Sequence, residues 1–109
     1  MTEFPWVDTE ELEEKELFPG LHARIFHTAH QTFVFWRIEE GAVLPAHHHP
    51  HSQVALVTHG QLELKIDGDS KVLGPGEVAV IPSNAVHSGR ALTACEVTDV
   101  FHPVREDLR

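Results

Sequence analysis

The stretch Gly41-Ala42-Val43-Leu44-Pro45-Ala46-His47-His48-His49-Pro50-His51-Ser52-Gln53, closed by Gly60, decides how this chain is read. It sets two imidazoles, His47 and His49, two residues apart and an amide, Gln53, four residues further on. Side chains two apart on an extended chain point to one face, so His47 and His49 project together while His48 points away. Imidazole nitrogen and the oxygen of a short polar side chain are common ligands of a divalent first-row metal. The fourth ligand then comes from elsewhere, and His87 is the candidate. It follows Gly76 to Val86, a segment that reads as a strand and a turn.

Working outward, nearly everything else reads as strand. Residues 22–28 and 32–39 are two strands with a short polar break between them, the second rich in aromatic and β-branched residues. Residues 52–59 are mainly apolar, and 61–66 alternate Leu62, Leu64 and Ile66 against Glu63 and Lys65. Asp67-Gly68 is a hairpin turn before residues 70–73. Strands follow at 77–81, 86–91 and 93–101. About nine short strands with almost no helix predict an all-β, single-domain antiparallel barrel or sandwich. Upstream, Asp8 is an N-cap with Glu11 three residues on, so a short helix is expected there, ended by Pro19-Gly20. The organisation expected is an acidic segment over residues 1–20 and a β-barrel domain over 21–109.

The 109 residues suffice for one core and leave no room for a second. The net charge of −9 argues against nucleic acid and anionic membranes as partners, because both reward clustered Lys and Arg. Seven of the seventeen acids fall within residues 3–16, which reads as a solvated acidic face. No run is long and apolar enough to span a bilayer, and the first residues lack the pattern of a signal peptide. A cytoplasmic location is the expectation, and the one cysteine, Cys95, agrees with a reducing compartment.

Ten histidines do not make ten ligands. His22, His27, His30 and His59 have no partner at ligand spacing, and His48 and His51 flank the site. Cys95 reads as a small buried residue on the last strand. Trp36, Phe33 and Phe35 read as core or dimer-contact residues. Near the C-terminus, Asp99 and Phe101 share a strand face, and Pro103 lets the chain turn Arg105 back over the barrel mouth. An acid, a ring and a guanidinium at one mouth make a proton donor, a stacking surface and a carboxylate clamp. Spacing alone equally allows a structural salt bridge between Asp99 and Arg105.

The two segments read G-x5-H-x-H-x3-Q-x6-G, from Gly41, and P-G-E-x4-P-x-N-x2-H, from Pro75. Together they resemble the paired motifs of the cupin superfamily, small jelly-roll β-barrels with a metal at the mouth. Two positions depart from that pattern: Gln53 stands for the usual glutamate, and Asn84 for the glycine after the proline. Asn tolerates positive φ better than most residues, so the turn survives. Three neutral imidazoles and an amide leave a divalent ion its full +2, which favours an anionic ligand.

Residues 50–54, with Asp99-Val100-Phe101, Pro103 and Arg105-Glu106-Asp107, resemble the pectin-degradation cupins called KdgF. That resemblance implies ring opening and ketonisation of 4,5-unsaturated uronate monosaccharides from pectin or alginate. It implies His47, His49, Gln53 and His87 as ligands of one divalent transition metal (Ni, Zn, Mn or Fe). It implies Asp99, Phe101 and Arg105 as the catalytic trio, an acidic sugar as substrate, and a homodimer. Two other readings stay open: a non-catalytic metal- and sugar-binding cupin, and an iron-dependent dioxygenase.

Overall fold

Alternating apolar and polar residues become antiparallel strands in the computed structural model, which describes residues 6–109. The strands are β1 (Glu14–Phe18), β2 (Leu21–His27), β3 (Thr32–Ile38), β4 (Val43–His47) and β5 (Ser52–His59). They continue as β6 (Leu62–Ile66), β7 (Asp69–Leu73), β8 (Val78–Ile81), β9 (His87–Ala91) and β10 (Cys95–His102). Six pair in the order β1-β2-β3-β10-β5-β8, and four in the order β4-β9-β6-β7. Two facing antiparallel sheets of this kind form the expected all-β jelly roll. Among the described residues, no helix is long and apolar enough to cross a membrane.

The period of two puts Ala55, Val57, Cys95 and Val97 of the larger sheet against Leu62, Leu64, Leu73 and Ala91 of the smaller one, all buried. Where β5 begins and β10 ends, the buried residues turn polar: Thr32, His49, Gln53, His87 and Asp99. That polar end is where a ligand site has to lie, because buried polar groups need partners. On the outer face of the larger sheet, Phe33 and Phe35 stack with Phe26 rather than joining the core, with ring centroids 4.8 Å apart for Phe26 and Phe33.

The acidic segment differs from its expected form. The helical part is a single 3₁₀ turn, Thr9–Glu11, with the Asp8 carboxylate accepting from the Glu10 N–H. From Glu14 the chain is a strand, and residues 1–5 lie outside the described part. Arginines on the neighbouring strands explain the change: Arg37 donates to Glu14 at 2.8 Å, and Arg24 lies 3.8 Å from the same carboxylate. Arg24 also donates to the carbonyls of Glu10 and Leu12, which anchors the turn. Tertiary partners override a weak local helix signal.

Asp67 and Gly68 both have positive φ, 46° and 89°, as a two-residue hairpin turn requires. Gly60 is held more tightly. Its φ is +78°, and a Cβ there would sit 2.1 Å from the Ala94 carbonyl oxygen and 2.7 Å from the Cys95 Cβ. Gly60→Ala is therefore expected to cost about 2 to 4 kcal/mol through backbone strain and overpacking. Thermal unfolding followed by circular dichroism should show a drop in Tm on the order of 10 °C. An unchanged Tm would show that the β5–β6 turn has room that its geometry denies.

Candidate metal centre

Each of the three histidines is oriented by its own backbone. His47 Nδ1 lies 3.0 Å from the Pro45 carbonyl, His49 Nδ1 3.0 Å from that of His51, and His87 Nδ1 2.9 Å from that of Ala85. A carbonyl only accepts, so each Nδ1 carries the hydrogen, and in the neutral form of the ring Nε2 offers the lone pair. Among the described residues, the Nε2 atoms of His49 and His87 are buried and have no hydrogen-bond partner, and neither has the Oε1 of Gln53. One nitrogen from each histidine lies within 4.8 Å of the others. Buried, unpartnered lone pairs that converge in this way fit a divalent cation.

Several elements build the cluster. His47 ends β4 and lies directly opposite His87, the first residue of β9, with ring centroids 4.2 Å apart. His49 sits beyond the end of β4, in the loop to β5, so the two imidazoles do not share one strand as expected. His48 is exposed, as strand alternation predicts. Gln53, on β5, faces the trio from the larger sheet, opposite Ile81 on one side and Phe101 on the other. Asn84 joins the two motifs: its φ is +64°, and its backbone N–H donates to the His49 carbonyl at 2.8 Å. Burial first, then the charge of Arg105, hold the His49 pKa down at about 4, so this ring is a neutral donor at physiological pH. His87 is lowered in the same direction, again mainly by burial.

Asp99, Phe101 and Arg105 form the adjoining wall. Asp99 is 7% exposed, and burial pushes its carboxyl up to about 6, while Gln53, Trp36 and Arg105 pull the other way. Its Oδ2 accepts the indole N–H of Trp36 at 2.8 Å, whereas its Oδ1 is buried without a partner. The Arg105 guanidinium lies 4.8 Å over the Phe101 ring. It does not bridge to Asp99. Instead Asp107 holds it by two bonds, to Nε at 3.1 Å and to Nη2 at 2.6 Å, and its backbone N–H donates to Thr32. A cleft of about 280 Å³ opens between these groups, lined by Trp36, His47, Gln53, Asp99, Phe101 and Arg105 among others.

Sequence reading missed two contributors. Trp36 and Asp107 carry no metal-ligand spacing. The available signals are chemical: a buried indole N–H needs an acceptor, and a guanidinium beside a ring needs a carboxylate to fix its plane. His22, without a partner by spacing, meets two carboxylates in the fold, at 2.6 Å (Glu39) and 3.9 Å (Glu16). Glu16 also accepts the Gly20 N–H, so that group reads as a surface clasp on the β1–β2 turn. Cys95 is buried and its thiol is raised by burial, in keeping with a packing role.

A family profile described as Cupin domain matches residues 34–101. Among solved structures, the chain is similar to KdgF from Halomonas sp., at 30% identity over 94% of this chain and 96% of that one, with a TM-score of 0.88. It is similar to an RmlC-like cupin from Shewanella frigidimarina NCIMB 400, at 28% identity over 97% of this chain and 96% of that one, with a TM-score of 0.92. A salicylate 1,2-dioxygenase from Pseudoaminobacter salicylatoxidans, 20% identical over 79% of this chain and 27% of that one, shares the fold alone, at a TM-score of 0.76. No curated protein matches the chain by sequence.

Proposed function

This chain belongs to the cupin family, and from that premise we propose that it is a metal-dependent enzyme that opens and ketonises 4,5-unsaturated uronate monosaccharides. The observation that carries this reading is the wall facing the histidines, where a buried acid, a ring and a clamped guanidinium share one cleft. The resemblance of residues 50–54 and 99–107 to KdgF cupins, and the likeness to the Halomonas protein over nearly the full length of both chains, point the same way.

His47, His49, His87 and Gln53 would hold one divalent ion, which when bound supplies Lewis-acid polarisation of sugar oxygens. The protein's own residues do the rest. Arg105 pairs with the uronate carboxylate, its Nη1 side being free of Asp107. Phe101 packs against the sugar ring. In the reaction the hemiacetal hydroxyl loses its proton, the bond from C1 to the ring oxygen breaks, and an aldehyde and an enol result. Asp99 then delivers a proton to C4, giving the 5-keto product. A carboxyl held near 6 is suited to that task, because it keeps a protonated fraction close to neutral pH.

The test is anaerobic NMR of an unsaturated uronate with metal-loaded protein. Loss of the vinylic proton signal, with growth of a 5-keto product, is the expected result. Oxygen uptake confined to iron-loaded protein would favour a dioxygenase. Saturable uronate binding with no product would favour a binding module.

A further inference from the structure

The acceptor pattern at Asp99 leads to Trp36. These two residues lie on neighbouring strands, β3 and β10, whose register pairs Asp99 with Val34 and Val97 with Trp36. Trp36 thus sits diagonally from Asp99 on the inward face, and its Nε1 reaches Oδ2 at 2.8 Å. An indole nitrogen donates and never accepts. Oδ2 is therefore the acceptor in this pair, and because a carbonyl oxygen accepts better than a hydroxyl oxygen, the indole bond favours Oδ1 as the oxygen that carries a proton held by Asp99. That second oxygen is buried and has no hydrogen-bond partner among the described residues. Its register neighbours Ala55 and Val34 carry no donor, and the other polar side chain beside the carboxyl is the Gln53 amide, diagonal to it on β5.

We propose that Trp36 is a positioning residue that assigns the transferable proton to Oδ1 of Asp99 and so fixes the face of the enol that is protonated. This inference rests on the ketonisation reading above. In the step, the Oδ1–H bond breaks as the C4–H bond forms, and the C5 enol becomes a ketone as its hydroxyl proton passes to water. Water returns a proton to Asp99. The net change is an isomerisation, with no oxidant or other co-reactant required.

Turnover in D₂O tests this, because deuterium added at C4 records the face of delivery. Wild-type protein is expected to place deuterium on a single face. Its Trp36 indole N–H should exchange slowly with solvent by NMR, unlike that of Trp6, which is 83% exposed. Trp36→Phe keeps an apolar ring and removes the donor. It should lower kcat by about 10² through misplacement of the acid, leave KM within twofold, and scatter deuterium over both faces. Trp36→His keeps a ring N–H and covers the case in which phenylalanine does not fold; single-face labelling should persist in it. A folded Trp36→Phe protein with wild-type kcat and single-face labelling would overturn the proposal, as would a fast-exchanging Trp36 N–H or two-face labelling in wild type. Absence of any uronate conversion by wild type would instead remove the reading on which the proposal stands.

Discussion

Asp99→Asn is expected to lower turnover of an unsaturated uronate by about 10² to 10⁴, the usual worth of a positioned acid or base, with bound metal unchanged. The substitution is nearly isosteric, and the amide oxygen can still accept the Trp36 N–H that now meets Oδ2 at 2.8 Å. The NH₂ group must then occupy the place of the unpartnered Oδ1, where it offers no acid able to protonate carbon. Packing is preserved and the chemistry is removed. In the metal-free protein the same change should raise stability at neutral pH. An acid whose folded pKa, at about 6, lies above its unfolded value favours the protonated fold, and ionisation at higher pH works against folding. Asparagine cannot ionise, so a gain on the order of 1 to 3 kcal/mol in chemical denaturation is expected at pH 7 to 8. Steady-state kinetics with metal analysis settles the first point. Wild-type turnover in Asp99→Asn would take this residue out of the mechanism.

His87→Ala is the second large effect. The ring is 2% exposed, its Nδ1 hydrogen is spent on the Ala85 carbonyl, and its Nε2 has no partner among the described residues. Of the three histidines it is the most deeply enclosed, and β9 fixes it opposite His47. Alanine would delete one converging lone pair. With about 10 to 16 kcal/mol spread over four ligands in well-formed sites, the loss should weaken metal binding by at least about 10²-fold. Dialysis against a chelator followed by elemental analysis measures this. His48→Ala is the matched control, since His48 is exposed and outside the cluster, and it should leave metal content alone. Equal metal retention by His87→Ala and wild type would mean that the cation, if any, sits elsewhere.

These expectations separate what local sequence encodes from what it does not. The period of two in an extended chain is a covalent fact, so strands such as Ser52–His59 and Leu62–Ile66 and the inward face of Cys95–His102 could be read directly. Turn chemistry is equally local: Asp67-Gly68 and Asn84 adopt the positive φ that their residue types permit. The candidate donors were visible because imidazole and amide groups stand at fixed separations, even though His49 lies beyond the strand that was expected to carry it.

Pairings between strands were not readable, because register is chosen by burial across the whole barrel. Only the folded sheets bring Phe101 opposite Gln53, set the Trp36 indole on Asp99, and give Arg105 to Asp107 instead of Asp99. Only the pairing of β1 with β2, reinforced where Arg24 and Arg37 meet Glu14, makes Glu14–Phe18 an outer strand. The sequence by itself determined the barrel and its donors, since both follow from spacing along one chain. Tertiary structure decided which oxygen and which guanidinium edge remain free, since that depends on partners far away along the chain.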